Sequence, residues 1–221
     1  MEKWWNSARH CLVQDLTPGN SFPQGLTSVN NDLFFGTIGF PSAGLYKVSN
    51  EGNDHVINGS EGNDTINGGN NLNNTINGKA GNDKLSGKNG DDILIGGIGD
   101  DTLTGGKGQD SFSFNSPKEG VDTIKDFIPK DDTIVVRAQG FKGSLVAGSV
   151  IPSEQFVLGS TATDNSDRFI YNKATGELFF DSDGGGVKQS VLLAQLSTRP
   201  LLTNADIFVE VRGWPGSLIS A

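Results

Sequence analysis

A nine-residue period runs through the middle of the chain, and in nearly every period a carboxylate or its amide returns at the same phase. Aligned on Gly-x-x-Gly-x-Asp, the units begin at Ser49, Gly59, Gly68, Gly78, Gly87, Gly96 and Gly105. Each carries glycines that permit tight turns, then an acidic residue, then an apolar residue two places on: Val56 or Ile57, Ile66, Ile76, Leu85, Leu94, Leu103 and Phe112. A short supersecondary unit of this kind cannot bury its apolar side chain alone, so it has to stack on its neighbours. The expected fold class is all-β: a solenoid of nonapeptide repeats, with the apolar residues inside and the acidic residues along its edges.

Composition agrees with a turn-rich β protein. Glycine supplies 31 of the 221 residues and apolar types only 34%, without the three-residue period of a collagen. With Lys+Arg 17 against Asp+Glu 26 the formal charge is -9, which disfavours nucleic acid and anionic membranes as partners and suits divalent cations. The single cysteine, Cys11, excludes an intrachain disulfide. No apolar run is long enough for a transmembrane helix, and the first residues, MEKWWNSARHCLVQDL, lack the apolar core and cleavage site of a signal peptide.

The repeats resemble those of the RTX, or hemolysin-type calcium-binding, family, whose pattern is G-G-x-G-x-D-x-U-x, and the arrangement is similar to a serralysin-type carboxy-terminal β-roll, so the resemblance implies a parallel β-roll, a right-handed solenoid of nonapeptide repeats followed by a β-rich cap. The resemblance implies three parts. Residues 1–48 form an amino-terminal hairpin or leader, with a loose likeness between Gly44-Leu45-Tyr46-Lys47 and a repeat of large secreted proteins. Residues 49–114 form the roll. Residues 115–221 form a β-rich cap and secretion region, in which Asp122-Thr123-Ile124-Lys125-Asp126-Phe127, Asp167 to Asn172 and Leu178 to Gly184 match pieces that follow RTX repeats. The resemblance also implies export through a type I exporter without a cleaved leader, hence an extracellular location. Extracellular polysaccharide is a second candidate partner, because calcium-binding R-modules of alginate epimerases are built from similar repeats.

The physical case for a cation is electrostatic. Two units make one coil, so carboxylates on one edge stack about one strand spacing apart, roughly 5 Å. Like charges at that distance repel by about 1 kcal/mol in water and several times more at an effective dielectric near 20. Ca²⁺, which takes six to eight oxygen ligands, reverses the sign, and Mg²⁺ fits poorly because it insists on octahedral geometry. Alternate units share an edge, which places Asp54, Asn74, Asp92 and Asp110 along one side and Asp64, Asp83 and Asp101 along the other. By the resemblance, backbone carbonyls of the glycine turns complete the ligand sets, through Gly52, Gly62, Gly78, Gly81, Gly87, Gly90, Gly96, Gly97, Gly99, Gly105, Gly106 and Gly108. The Gly68 unit departs from the pattern: Leu72 replaces a glycine, Asn74 replaces the aspartate and one residue is inserted. Asn74 retains an amide oxygen to offer, and weaker binding is expected around it.

Other motifs point away from catalysis. His10 and His55, the two histidines, lie outside any H-E-x-x-H, and G-x-S-x-G is absent, so neither a zinc protease nor a lipase elbow is present. The turn Asp181-Ser182-Asp183-Gly184-Gly185-Gly186 begins like an EF-hand loop, but its twelfth position is Leu192, which favours a plain turn over a metal site. Asp122 and Asp126 are expected on the surface rather than capping the last coil. Trp4, Trp5 and Trp214 are read as packing or unstructured residues. The sequence thus points to a non-enzymatic, secreted, Ca²⁺-binding chain, with an adhesive or carbohydrate-binding accessory module as the alternative.

Overall fold

The computed structural model of the chain describes residues 54–211 and, before them, three strands, β1 (Pro23–Val29), β2 (Asp32–Thr37) and β3 (Leu45–Glu51). His10, Cys11, the three tryptophans, Gly44 and Gly52 lie outside the described residues. From residue 54 the chain winds as a solenoid through β4 (Asp54–Asn58), β5 (Thr65–Asn67), β6 (Asn73–Ala80), β7 (Lys84–Asn89), β8 (Ile93–Ile98), β9 (Thr102–Lys107), β10 (Ser111–Phe114), β11 (Asp122–Ile124) and β12 (Thr133–Arg137). Even-numbered strands go to one sheet and odd-numbered strands to the other, all paired in parallel.

This alternation follows from the repeat. Each unit holds one short strand and one glycine turn, so successive units must reverse direction and land on opposite sheets. The inward side chains then stack in two files. Ile57, Ile76, Leu94, Phe112, Ile134 and Ile207 are in register on one sheet. Ile66, Leu85, Leu103, Ile124 and Leu196 are in register on the other. Ile76, Leu94, Leu103 and Phe112 are wholly buried, as the sequence period requires.

Beyond the repeats the same two sheets continue. On one side β12 pairs with β18 (Ile207–Glu210), which pairs with β13 (Ser149–Val150), giving a ten-stranded sheet. On the other, β11 pairs with β17 (Val191–Leu196), followed by β16 (Glu177–Phe180), β15 (Phe169–Asn172) and β14 (Phe156–Leu158), giving eight strands. Larger side chains fill the wider core of this end: Phe141 packs edge-on to Phe180 at 4.9 Å between centroids, and Phe169 lies 5.3 Å from Phe180. At the opposite end β1, β2 and β3 form an antiparallel meander, and β3 pairs antiparallel with β4. Among the described residues the only helical elements are single 3-10 turns at Ser153–Gln155 and Asn204–Asp206, and none could cross a membrane.

Candidate metal centre

Two ladders of carboxylates run along the edges where strands give way to glycine turns. In one, the backbone N–H of Asp64 donates to Asp83 Oδ1 at 2.7 Å, Asp83 N–H to Asp101 Oδ1 at 2.7 Å, and Asp101 N–H to Asp122 Oδ1 at 3.1 Å. In the other, Asn74 N–H donates to Asp92 Oδ1 at 2.7 Å, Asp92 N–H to Asp110 Oδ1 at 2.9 Å, and Asp110 N–H to Asp132 Oδ1 at 3.1 Å. Every rung therefore joins one coil to the next. The residue before each aspartate builds a parallel, more exposed ladder: Asn82 N–H donates to Asn63 Oδ1, Asp100 N–H to Asn82 Oδ1, and Gln109 N–H to Asp91 Oδ1.

In four of these aspartates the second oxygen is unmatched. Oδ2 of Asp83, Asp92, Asp101 and Asp110 is buried without a hydrogen-bond partner, although the four residues are at most 1% exposed. A buried carboxylate oxygen left unpaired costs several kcal/mol or neutralises itself, so four in series mark positions built for a cation. The glycines explain how these oxygens fit. A Cβ on Gly78, Gly87, Gly96 or Gly105 would run into Oδ2 of Asp83, Asp92, Asp101 or Asp110 respectively. A Cβ on Gly59 would lie 2.6 Å from the Gly78 carbonyl oxygen and 2.8 Å from Asp64 Oδ2.

The remaining glycines stack coil upon coil. Gly99, at φ 139°, lies so close to the Gly81 carbonyl that no side chain is admissible, and Gly108 meets Gly90 in the same way. Gly81 rests on Gly62, Gly97 on Lys79, and Gly106 on Lys88.

Electrostatics follows the geometry. Burial, then the neighbouring Asp101 and Asp64 carboxylates, push Asp83 up to about 6. Burial, then Asp132, Asp92 and Asp126, raise Asp110 to about 7, and burial with Asp101, Glu119 and Asp100 takes Asp122 to about 8. Asp92, Asp101 and Asp132 are raised as well, again chiefly by burial. Among the described residues no three acidic, histidine or cysteine side chains gather at one point. The donors are instead carboxylates spaced along an edge among backbone carbonyls, an all-oxygen set that suits a hard, flexible-geometry cation such as Ca²⁺.

Three expectations require correction. Asp122 is buried in the ladder rather than on the surface, and Asp126 caps the last glycine turn, its two carboxylate oxygens accepting from Gly105 N–H at 3.0 Å and Gly106 N–H at 2.9 Å. Asp54 pairs with Asn73, so His55 stands opposite Asn74. The cause is one extra residue between Asp54 and the inward Ile57, which shifts the acid out of phase. The amide oxygen of Asn74 is already engaged: Oδ1 accepts from Gly69 N–H, and Nδ2 donates to Leu72 O at 2.8 Å and Asp92 Oδ1 at 2.7 Å. An N–H donor thus points at oxygens that a cation would otherwise face.

Sequence reasoning also passed over Asp132, whose signal was its place in the Asp131-Asp132 turn before a strand. The Asp181–Gly186 turn is closed locally by Asp183 N–H donating to Asp181 Oδ1 at 3.0 Å.

Stacked nonapeptide turns with carboxylates in phase define a cation-binding β-roll. Residues 49–85, 69–103 and 86–115 match the RTX calcium-binding nonapeptide repeat, so this part of the chain consists of RTX repeats, which bind Ca²⁺. Among solved structures, the chain is similar to the R2 and R3 subunits of AlgE6, the Azotobacter vinelandii mannuronan C5-epimerase. The R2 match has 27% identity and a TM-score of 0.45, covering 71% of this chain and 94% of that one. The R3 match has 28% identity and a TM-score of 0.44, covering 67% and 79%. It is also similar to the extracellular lipase LipA of Serratia marcescens, at 16% identity and TM-score 0.44, covering 83% of this chain and 30% of that one. No curated protein matches the chain.

Proposed function

We propose that this is a non-catalytic, extracellular protein whose repeats fold on binding Ca²⁺, the ions being held by Asp64, Asp83 and Asp101 on one edge and Asp92 and Asp110 on the other, with carbonyls of the intervening glycine turns. The observation that carries the reading is the run of four buried, unpartnered Oδ2 atoms. A bound dication converts a repulsive ladder into a cross-linked one. Binding energy then becomes folding energy, so the chain stays open where Ca²⁺ is scarce and condenses where it is abundant. That difference between the inside and outside of a cell suits passage through an exporter followed by folding on exit.

Circular dichroism of the chelated chain during a Ca²⁺ titration, with Mg²⁺ as control, tests the reading. It requires β structure to appear with Ca²⁺ and not with Mg²⁺; a spectrum indifferent to both would refute it. Turnover in a broad hydrolase screen of the loaded protein would refute the non-catalytic part.

A second reading, an accessory module that holds acidic polysaccharide, has one observation in its favour. A shallow groove on the outer face of the ten-stranded sheet is lined by Ile93, Ile95, Ser111, Ser113, Val135, Arg137 and Glu210, and Arg137 Nε lacks a hydrogen-bond acceptor there, although the Glu210 carboxylate stands across from it. Retention of the loaded protein on alginate, lost in Arg137→Gln, supports this reading, and no retention removes it.

A further inference from the structure

The turn at residues 119–122 has one glycine and falls outside the matched repeats, yet it reproduces the preceding turn on its edge bond for bond. Gly81 N–H donates to Ile98 O at 2.8 Å, and Gly99 N–H donates to Glu119 O at 2.6 Å. Asp100 N–H donates to Asn82 Oδ1 at 3.1 Å, and Val121 N–H to Asp100 Oδ1 at 2.8 Å. Asp83 N–H donates to Asp101 Oδ1, and Asp101 N–H to Asp122 Oδ1. Gly120, at φ 134°, sits on Gly99 as Gly99, at φ 139°, sits on Gly81. Glu119-Gly120-Val121-Asp122 is therefore a structural repeat of Ile98-Gly99-Asp100-Asp101 that lacks the flanking glycines of the motif.

The two edges end differently. Asp132 closes its ladder by using both oxygens: Oδ1 accepts from Asp110 N–H, and Oδ2 from Ile128 N–H at 2.8 Å. Asp101 Oδ2 and Asp110 Oδ2 are alike buried without a partner beneath the two ends, so the difference lies in Asp122, 4% exposed, which accepts only through Oδ1 and leaves Oδ2 to a ligand. The charges acting on Asp122 are those of Asp101, Glu119 and Asp100, all negative; Arg137 acts on Glu119, and no cationic side chain acts on Asp122 itself.

We propose that residues 119–122 complete one more Ca²⁺ site with the turn that ends at Asp101, using the Asp101 and Asp122 carboxylates and backbone carbonyls of the two turns, whereas the Asp110–Asp132 ladder ends without a further ion. The proposal rests on the calcium reading above. Its consequence is a direct tie between metal and cap, because Asp122 opens β11, which pairs with β17 of the cap.

The test counts ions on the full chain by equilibrium dialysis and elemental analysis, comparing wild type with Asp122→Asn and Asp132→Asn, each checked for fold by circular dichroism at saturating Ca²⁺. The expected result is one ion fewer in Asp122→Asn and an unchanged count in Asp132→Asn. An unchanged count in Asp122→Asn, or an equal loss in both, overturns the proposal. Should Asp122→Asn fail to fold, anomalous scattering from Ca²⁺-loaded wild-type crystals decides: a peak between Asp101 and Asp122 supports the site. Peaks between Asp83 and Asp101 with none above Asp101 refute it. A wild-type chain that binds no Ca²⁺ would sink the calcium reading itself, and this site with it.

Discussion

Replacing Asp101 with asparagine should change the sign of its effect on stability with the presence of Ca²⁺. Asparagine keeps the shape and the Oδ1 that accepts from Asp83 N–H, but converts the buried, unpartnered Oδ2 into an N–H₂ donor. Asn74 shows what such a donor does on the other edge, where Nδ2 reaches Leu72 O and Asp92 Oδ1. In chelator the variant loses an uncompensated buried charge lying between Asp83 and Asp122. Relieving an unsatisfied buried acceptor is worth about 1–3 kcal/mol, and removing a like charge at roughly 5 Å contributes a similar amount. The fold of the chelated Asp101→Asn chain should therefore be favoured over that of chelated wild type by about 2–6 kcal/mol. At saturating Ca²⁺ the order reverses, because a charged ligand is gone, and the Ca²⁺ midpoint should rise about tenfold for each 1.4 kcal/mol of binding energy lost. Circular dichroism in chelator, where the variant should keep more β structure than wild type, and urea unfolding at saturating Ca²⁺ measure the two effects. Equal destabilisation under the two conditions would refute the idea that this carboxylate is a liability awaiting a cation.

Acidity should act in opposite directions on the two states as well. Asp83, Asp110 and Asp122 sit at about 6, 7 and 8 in the fold against an ordinary 3.8, so the folded chelated chain binds more protons across that window, and its stability falls as pH rises through it. The β content of the chelated chain by circular dichroism should rise from pH 8 to pH 5, while the Ca²⁺ midpoint worsens as protons compete; β content that falls on acidification would contradict this. Gly78→Ala and Gly96→Ala should abolish much of the Ca²⁺ response, since each Cβ displaces a carboxylate oxygen. Gly159→Ala, whose nearest neighbour is Thr161 O at 3.8 Å, should be neutral within about 0.5 kcal/mol. Leu94→Ala, in the file between Ile76 and Phe112, should cost the loaded protein about 2–5 kcal/mol in urea unfolding.

The roll was legible because its period fixes both features that matter: the apolar residue at one phase, which became the buried files, and the aspartate at another, which became the ladders. Legibility failed where phase broke. Beside Asp54 a single additional residue moved His55 opposite Asn74, a register event that motif alignment cannot see. At Asp122 and Asp132 the opposite happened: glycines disappeared from the sequence while the backbone kept winding, so the ladders outlasted the motif by a rung on each edge. Asp126 carried no repeat signal at all. It ends the glycine edge because a carboxylate can stand in for the carbonyls of a missing coil. The role of Asn74 depended on which end of its amide faces inward, a matter of hydrogen-bond geometry rather than residue type.

Hydrogen–deuterium exchange across residues 59–122, with Ca²⁺ and with chelator, bears most directly on the central claim. The amides of Asp83, Asp92, Asp101 and Asp110 are the rungs between coils. They should be strongly protected with Ca²⁺ and exchange at close to unfolded-chain rates once it is removed. Protection that survives the chelator unchanged would mean that the roll holds itself together without a cation.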